Sequence, residues 1–318
     1  MADSSRSLVI REMVLEADGV LSLELVDPSG GSLPSWEAGA HIDLEIAPQL
    51  LRQYSLCGQP HDVHRWRIAV LEEPNSSGGS WAVHHVLHAG DNVRALGPRN
   101  NFPLTVAKNY LFIAGGIGIT PILPMVREVT SRDVEWHLLY GGRRRASMAF
   151  LDELATTEQV EVVPEDEFGL LDIKGAIAGT PADTAVYCCG PEPLIAAVEA
   201  ACAAAERQPP HTERFKLAAA RTPELPADGQ DEFEVVLARS GLTLRVPPDK
   251  SVLEVVEDAG VVAFSSCREG YCGCCETDIL EGEVDHRDDY LFEKDRASGK
   301  KMMICVSRSR SPRLVLDL

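Results

Sequence analysis

The sequence has no long hydrophobic run. Nowhere among its 318 residues does an apolar stretch approach the ~18 to 20 residues that a membrane span requires. The opening MADSSRSLVI also has no apolar stretch of signal-peptide length. We therefore expect no membrane association and a cytoplasmic location.

Positive charge is also scarce. The chain carries 30 Lys and Arg against 49 Asp and Glu, and its formal net charge is −19. Because phosphate backbones are bound by basic surfaces, nucleic acid is not expected as a partner. Residues 228–318 contain 12 Lys and Arg against 19 Asp and Glu, a net charge of −7. This acidic region suits docking to a basic patch on another protein, although a merely solvated surface explains it equally well.

The cysteines lack the pattern of a disulfide framework. Nine is an odd number, and five stand in or near one C-terminal loop, which is typical of a protein from a reducing compartment. Cys267, Cys272 and Cys275 in CREGYCGCC have C-x4-C-x2-C spacing, and Cys305 follows in MMICVSRS. This is the plant-type spacing of [2Fe-2S] ligands. Cys274 is assigned no ligand role, because using it would spoil both intervals.

Structural zinc is the alternative use of four cysteines. Zinc frameworks usually contain two C-x2-C pairs, and only one such step fits this sequence. Electron transfer is therefore the first hypothesis, with a zinc-stabilised interaction protein as a remote alternative.

The pattern of predicted secondary structure changes twice along the chain. Up to about residue 105, short β-rich segments separated by PSGG and PNSSGGS, with one helix at 80–87, predict an antiparallel barrel. From residue 109, the apolar strands YLFIAG, VEWHLLY, QVEVV and TAVYCC alternate with helices predicted to end near 129 and to span 148–155 and 193–206. This alternation predicts a doubly wound parallel sheet. Thr120 is predicted to cap the first of these helices, with Pro121 in its first turn.

The second change is a stretch rich in Pro, Gly and acidic residues at 221–232, which is typical of a linker. Beyond it, FEVVLA and LTLRV predict a β-hairpin, and SVLE at 251–254 predicts a capping box that opens a helix ending at Gly260. We predict domains at 1–105, 106–224 and 232–318, with 225–231 as the linker.

Two motifs indicate a nucleotide site on the parallel sheet. GGIGITP at 115–121 joins a strand end, a glycine turn and a helix N-terminus, an arrangement that presents backbone N–H groups to a pyrophosphate. CGPEPLI at 189–195 ends another strand at the same expected edge. A tight turn without a ligand is the alternative for the first motif.

The barrel carries RQYSL at 52–56 and GGS at 78–80. Arg52 and Tyr54 share a strand face, so a cation and an aromatic plane could clamp a phosphate and cover a flat ring. Gly79 and Ser80 open the predicted helix and add N–H donors. An ordinary surface strand is the alternative. His84 and His88 could mimic a metal pair, but no third ligand is evident, so they are interpreted as helix-surface residues.

Taken in order, RQYSL, GGS, GGIGITP, YGGRRRASMAF, CGP and the terminal cysteine loop resemble the reductase components of Rieske-type oxygenases. The resemblance is to the phthalate dioxygenase reductase and vanillate O-demethylase reductase family, and it covers essentially the whole chain. It implies FMN in the barrel, NADH on the α/β domain and a [2Fe-2S] cluster in a C-terminal β-grasp ferredoxin domain.

The resemblance also implies site residues. Ser55, Thr120 and Cys189 are the expected catalytic positions, where the flavin and the nicotinamide meet. The FMN residues that it implies are Arg52, Tyr54, Ser55, Leu56, Ala69, Val70, Leu71, Gly79, Ser80 and Phe215. The implied NAD residues are Gly115, Gly116, Thr120, Pro121, Gly141, Arg143, Cys189, Gly190 and Pro191. The cluster ligands are Cys267, Cys272, Cys275 and Cys305.

One position departs from the family pattern. Ser76 and Ser77 stand where relatives often carry a basic residue, which leaves Arg52 as the clearest cation for the flavin phosphate. Arg143, Arg144 and Arg145 could contact a 2′-phosphate, and no acidic residue stands at that strand end in sequence, but similar stretches occur in NADH-using relatives. We therefore expect NADH.

The expected function is a monomeric NADH-dependent reductase that feeds a Rieske-type oxygenase or demethylase. A flavin suits the middle of this chain, because NADH gives two electrons as a hydride and the cluster accepts one at a time. The same redox chain serving a cytochrome P450 is the alternative.

Overall fold

The computed structural model describes residues 5–318 except 48–49, 74–77, 133, 155–156, 216–231, 264, 266–267, 269, 271–272, 289 and 292. The predicted linker at 225–231 therefore lies outside the described residues, as do Ser76, Ser77, Cys267 and Cys272. No helix of the described part is long and apolar enough to cross a membrane.

The chain forms two compact units, residues 1–215 and 216–318. The first unit contains both the antiparallel and the parallel sheet that the sequence predicts, and the two share one hydrophobic core. Val20, Ala69 and Phe102 join this core from the first sheet, and Phe112 and Met125 join it from the second. The boundary between 1–105 and 106–224 remains a prediction.

The first sheet has six strands in the order β4-β3-β6-β1-β2-β5, and its neighbouring strands run antiparallel. Its elements are β1 (Arg6–Ala17), β2 (Val20–Val26), β3 (Ala40–Ala47), β4 (Leu50–Ser55), β5 (Arg65–Leu71), helix α1 (Gly79–His85) and β6 (Asn92–Asn100). A bridge between Leu56 and Ile68 joins the two edges. The sheet therefore closes into a barrel, as predicted.

Local sequence explains the first hairpin and the barrel core. Asp18 and Gly19 form the tight turn between β1 and β2, and Gly19 has a φ of 71°, which glycine adopts without strain. Alternating apolar residues such as Ile42 and Leu44 point into the barrel core around Trp66.

The second sheet has five parallel strands in the order β11-β10-β7-β8-β9. The elements after the barrel are β7 (Asn109–Gly115), α2 (Ile119–Thr130), β8 (Glu135–Gly142), α3 (Leu151–Leu154), β9 (Val160–Pro164), α4 (Glu165–Phe168), α5 (Ile173–Ala178), β10 (Ala185–Cys189), α6 (Glu192–Ala204) and β11 (His211–Glu213). The strand β7 is buried from Tyr110 to its end, as a central parallel strand covered on both faces should be.

Two helix predictions need correction. Thr120 is not the cap of α2, because Gly118 holds that position and the Thr120 hydroxyl donates to the carbonyl of Ile117 at 3.0 Å. The helix predicted at 148–155 begins only at Leu151, because Phe150 is buried in the shared core with a φ of 63°. Pro121 does lie in the first turn of α2.

The second unit contains a mixed sheet in the order β13-β12-β18-β14-β16 and a two-stranded sheet of β15 and β17. Its elements are β12 (Phe233–Leu237), β13 (Leu242–Val246), α7 (Val252–Asp258), β14 (Glu276–Glu281), β15 (Val284–Asp285), α8 (Glu293–Ser298), β16 (Lys301–Met303), β17 (Arg308–Ser309) and β18 (Arg313–Leu316). The first and last strands, β12 and β18, pair in parallel, and α7 packs against the sheet, which is the β-grasp arrangement.

The predicted hairpin and capping box are both present. β12 pairs antiparallel with β13. The Ser251 hydroxyl accepts from the Glu254 amide at 3.1 Å, and the Glu254 carboxylate accepts from the Ser251 amide at 2.7 Å. Gly260, with a φ of 77°, follows the helix end.

Candidate functional site

The glycine turn after β7 packs directly against the end of β10. A Cβ on Gly118 would lie 2.2 Å from the carbonyl oxygen of Cys189, and one on Gly115 would lie 2.8 Å from Cδ of Pro191. Gly190 is equally close, since its Cβ would lie 3.0 Å from Gly115. The two motifs predicted for the nucleotide therefore meet at one sheet edge.

Gly116 has a different environment from its neighbours. Its φ is 55° and no atom lies within 4 Å of where a Cβ would stand. The turn therefore combines close protein packing at Gly118 with open space at Gly116, where a phosphate could approach the backbone. The residues present fit a pyridine nucleotide.

The expected flavin residues lie on β4, β5 and the start of α1. A Cβ on Gly79 would lie 2.8 Å from Cγ and 2.9 Å from Nε of Arg52, so a glycine is needed for the arginine to reach the helix start. Tyr54 packs against the barrel core, and burial raises the pKa of its hydroxyl. The Ser80 hydroxyl accepts from the amide of Glu73 at 3.1 Å. This set fits a phosphate cradle beside an aromatic plane.

The strand β5 supplies the expected ring-edge residues Ala69, Val70 and Leu71, of which the first two are buried. Nε2 of His84 lies 2.9 Å from the Val70 carbonyl, and the His84 side chain is only 9% exposed. The interpretation of His84 as a helix-surface residue is therefore wrong. Leu56 is fully buried beside Ile68.

Two of the three expected catalytic positions, Ser55 and Cys189, meet around a residue that sequence reasoning missed. The hydroxyl of Ser55 donates to the carboxyl of Glu213 at 3.3 Å. Glu213 ends β11, where it pairs with Cys189 across the sheet. Ser55, Cys189 and Glu213 thus bring the end of β4 to the carboxyl edge of the parallel sheet. Glu213 could have been found from the strand order, because it ends a further parallel strand, β11, whose carboxyl end lies at the same edge of the sheet as Cys189.

Burial controls the electrostatics of this group. Burial raises the pKa of Glu213 to about 8, against a smaller opposing effect of the Ser55 hydrogen bond. Burial, and then the nearby Glu213, raise the pKa of the Cys189 thiol well above its usual range. Cys189 is therefore neutral and small, as expected for a packing residue rather than a reactive thiol.

The segment after β11 is anchored to the parallel sheet. Arg214 donates to Glu192 at 2.9 Å and to Glu199 at 2.8 Å, both on α6. Phe215 follows and packs, partly buried, against the shared core. The anchored arginine holds Glu213 and Phe215 on either side of it in place.

The other two implied NAD residues lie at the end of β8. Gly141 packs under Leu171, since its Cβ would lie 2.9 Å from Cδ1 of that residue. Arg143 is exposed, and its carbonyl accepts from the amide of Asp166 on α4. The fold therefore places the acidic helix α4 next to the arginine run.

The second unit contains two of the four predicted cluster ligands among its described residues. The Sγ atoms of Cys275 and Cys305 are buried and lie 3.1 Å apart, too far for a disulfide of ~2.05 Å. Gly270 and Gly273 have φ values of 79° and 77°, in the left-handed region that glycine favours. Two adjacent thiols beside such a loop fit [2Fe-2S] ligation.

Arg268, in the cysteine loop, has an acidic partner. Its guanidinium pairs with Glu257 on α7 at 2.8 Å.

Comparison with known proteins finds two matching family models and several similar whole chains. Residues 112–165 match the oxidoreductase NAD-binding domain, and residues 235–310 match the 2Fe-2S iron-sulfur cluster binding domain. Phenoxybenzoate dioxygenase subunit beta of Ectopseudomonas oleovorans is 41% identical over 98% of this chain and 97% of its own length. The solved phthalate dioxygenase reductase, a modular protein for electron transfer from pyridine nucleotides to [2Fe-2S], matches with a TM-score of 0.73 and 35% identity, covering 99% of this chain and 98% of that one. The chain belongs to the phthalate dioxygenase reductase family.

A second solved structure bears on which protein accepts the electrons. An intact type IV self-sufficient cytochrome P450 monooxygenase matches with a TM-score of 0.84 and 42% identity. The match covers 99% of this chain, which spans 41% of the P450 chain. Membership of the family confirms the fold class, the oxidoreductase activity and the FMN, NADH and [2Fe-2S] cofactors, and it removes the zinc alternative.

The packing of Gly118 predicts the effect of a single methyl group. Gly118→Ala places Cβ against a backbone oxygen that cannot rotate away, so we expect a loss of about 2 to 3 kcal/mol in the free energy of unfolding and weaker NADH binding. Gly31→Ala is the control, because its nearest neighbour is a side-chain carboxylate oxygen of Asp27 at 3.3 Å and not a backbone atom at 2.2 Å. Urea unfolding and NADH titration measure both effects. Equal stabilities of the two variants would contradict the packing argument.

Glu213 predicts a pH dependence. Its carboxyl is neutral below a pKa of about 8 and becomes a carboxylate above it. A carboxylate adds negative charge where electrons from NADH arrive, so the rate constant of flavin reduction should fall as pH rises through this value. Stopped-flow absorbance on both sides of pH 8 measures it. Glu213→Gln should abolish the transition, and Glu135→Gln, at the opposite edge of the sheet, should preserve it. A transition retained in Glu213→Gln refutes the assignment.

Proposed function

We propose that this protein is the reductase component of a two-protein oxygenase system, in which it passes electrons from NADH through FMN and a [2Fe-2S] cluster to a separate Rieske-type oxygenase. The meeting of Ser55, Cys189 and Glu213 carries the proposal, because it joins the end of the barrel strand β4 to the nucleotide edge of the parallel sheet. A cytoplasmic monomer suits this role.

Within the first unit, the residues bind and orient more than they react. The flavin, when bound, supplies the conversion between a two-electron donor and one-electron acceptors. Arg52 with Gly79 would hold its phosphate, and Tyr54 would cover its ring. Gly115, Gly116 and Gly118 would admit the pyrophosphate and nicotinamide of NADH beside Cys189. The buried hydroxyl of Ser55 is held by Glu213, and no side chain needs to act as a nucleophile.

A cytochrome P450 is the second candidate acceptor. The observation that favours it is the similarity to the self-sufficient P450 monooxygenase, although this chain spans only 41% of that protein. The relative that this chain matches over 97% of its length is a dioxygenase subunit, which favours a separate oxygenase as the partner. Reconstitution with a Rieske oxygenase and with a P450 separates the two. Turnover that falls with salt would support docking through the acidic ferredoxin region.

Acidic residues near the arginine run support the choice of NADH over NADPH, although they lie about twenty residues farther along the chain. Arg145 donates two hydrogen bonds to Glu167 on α4, at 3.2 and 3.1 Å. Helix α4 also carries Glu165 and Asp166, and it follows β9, the neighbour of β8. The carboxyl ends of both strands meet at the edge where a nucleotide binds. The acidic residues that are missing after β8 are therefore supplied by α4, the helix that follows β9.

Glu167 predicts a change in nucleotide preference. Glu167→Gln removes the negative partner of Arg145, so the ratio of kcat/KM for NADPH to that for NADH should rise about fivefold. Glu161→Gln, on β9 and before the carboxyl end of that strand, serves as the control and should leave the ratio unchanged. An unaltered ratio in Glu167→Gln contradicts the argument, and a wild-type preference for NADPH refutes NADH as the donor.

The electron path predicts separable losses. Cys305→Ser removes a cluster ligand, so cytochrome c reduction should fall to background while NADH-driven flavin reduction persists, and Cys272→Ser should behave in the same way. Cys274→Ser, with the same change one residue from a ligand, should retain iron and cytochrome c reduction. Iron analysis and stopped-flow absorbance measure both steps. Simultaneous loss of flavin and cluster reduction would contradict separate sites.

A further inference from the structure

An arginine on α2 connects the nucleotide-binding helix to the barrel strand that carries RQYSL. Nη1 of Arg127 donates to the carbonyl of Cys57 at 2.7 Å and to that of Gly58 at 2.6 Å. These carbonyls follow directly after Leu56, the last residue of the motif. One guanidinium thus donates hydrogen bonds to two backbone carbonyls of the loop that follows β4.

Glu153 fixes the orientation of this guanidinium. Nε of Arg127 donates to Oε1 of Glu153 at 2.6 Å, and only 16% of the arginine side chain is exposed. A charge-assisted pair with this much burial is stronger and better ordered than an exposed surface pair. We call Arg127, Glu153 and the two loop carbonyls the Arg127 bridge.

A second arginine supports the bridge from the barrel side. Nη2 of Arg67 donates to Glu16 at 2.5 Å, and its Nη1 lies 3.8 Å from the other carboxylate oxygen of Glu153. The same guanidinium lies over the ring of Phe150, 4.8 Å from its centroid. Phe150 has a φ of 63°, a conformation that costs energy for a bulky residue and persists because the surrounding contacts hold it.

We propose that Arg127 is a positioning residue for hydride transfer, an inference that rests on the proposed function. Arg127 lies seven residues after Thr120, about two turns along a helix that begins at the nucleotide turn. The bridge therefore ties the last turn of α2, the helix that begins at the nucleotide turn, to the loop after β4 in one rigid frame. The nicotinamide site and the flavin site keep a fixed separation because the elements carrying them are joined at this point.

Loss of the bridge should alter orientation more than binding. NADH would contact the glycine turn and the Cys189 segment, and neither includes Arg127. A small misplacement of two reacting groups slows their reaction strongly without removing the contacts that bind either one. The signature is a reduced rate constant with a nearly unchanged Kd.

The experiment compares Arg127→Met with Arg132→Met in the full-length, flavin-loaded protein. Arg132 pairs with Glu128 next to the end of α2, and within the described part of the chain no hydrogen bond or ion pair joins its side chain to the barrel, so its variant removes a similar charge and serves as the matched control. We expect Arg127→Met to slow flavin reduction by NADH about tenfold or more. The Kd for NADH should stay within about threefold of the wild-type value. The long-wavelength charge-transfer absorbance of stacked nicotinamide and flavin should weaken in the same variant, and Arg132→Met should match the wild type in all three measurements.

The result that overturns the proposal is a folded, flavin-loaded Arg127→Met protein with wild-type reduction rate and charge-transfer absorbance, whatever its melting temperature. If that variant loses flavin, Arg127→Lys and Glu153→Gln decide the matter. Both weaken the bridge while retaining a polar side chain, and wild-type rates in both would refute it. A wild-type protein that NADH does not reduce would instead refute the proposed function, so the two failures are distinguishable.

Discussion

The close contact between the glycine turn and the end of β10 is the constraint on which the functional site depends. Gly118 allows the turn to lie against the Cys189 carbonyl at a distance that excludes any side chain. This contact brings the ends of β7 and β10 together, and β11 adds Glu213 alongside. The Ser55 hydroxyl reaches Glu213 because the shared core presses the barrel against the same edge.

The same burial that assembles the site keeps its ionisable groups neutral. Desolvation raises the pKa of both Glu213 and Cys189, so neither carries a full charge near neutral pH. A neutral site suits a reaction in which the cofactors exchange electrons, since a fixed negative charge would oppose their arrival. Arg214, the neighbour of Glu213 in sequence, is paired with carboxylates of α6 and holds this strand end in place.

Local pattern was sufficient to predict the modules but not the contacts between them. The apolar run of β7, the hairpin of β12 and β13, and the capping box at Ser251 are each set by neighbours within a few residues, and each was predicted. Glu213 and Arg127 were missed because their partners lie 158 and 70 residues away in the chain. Thr120 was misjudged as a cap because the preceding glycines form a short 3-10 turn that leads into the helix. Phe150 delayed the start of the helix predicted at 148–155, because its burial outweighed local propensity.

Counting charges along the chain also overestimated the positive charge available to ligands. Arg145 lies in the arginine run that could contact a 2′-phosphate, and Arg268 lies in the cysteine loop, but each is paired with a glutamate of a neighbouring element. Such exposed pairs contribute little to stability, but they cancel the field of the arginine over a short distance. At the nucleotide edge, this cancellation favours a ribose hydroxyl over a 2′-phosphate. At the cluster loop, the pairing of Arg268 means that this arginine does not offset the negative charge of residues 228–318, which suits docking to a basic partner.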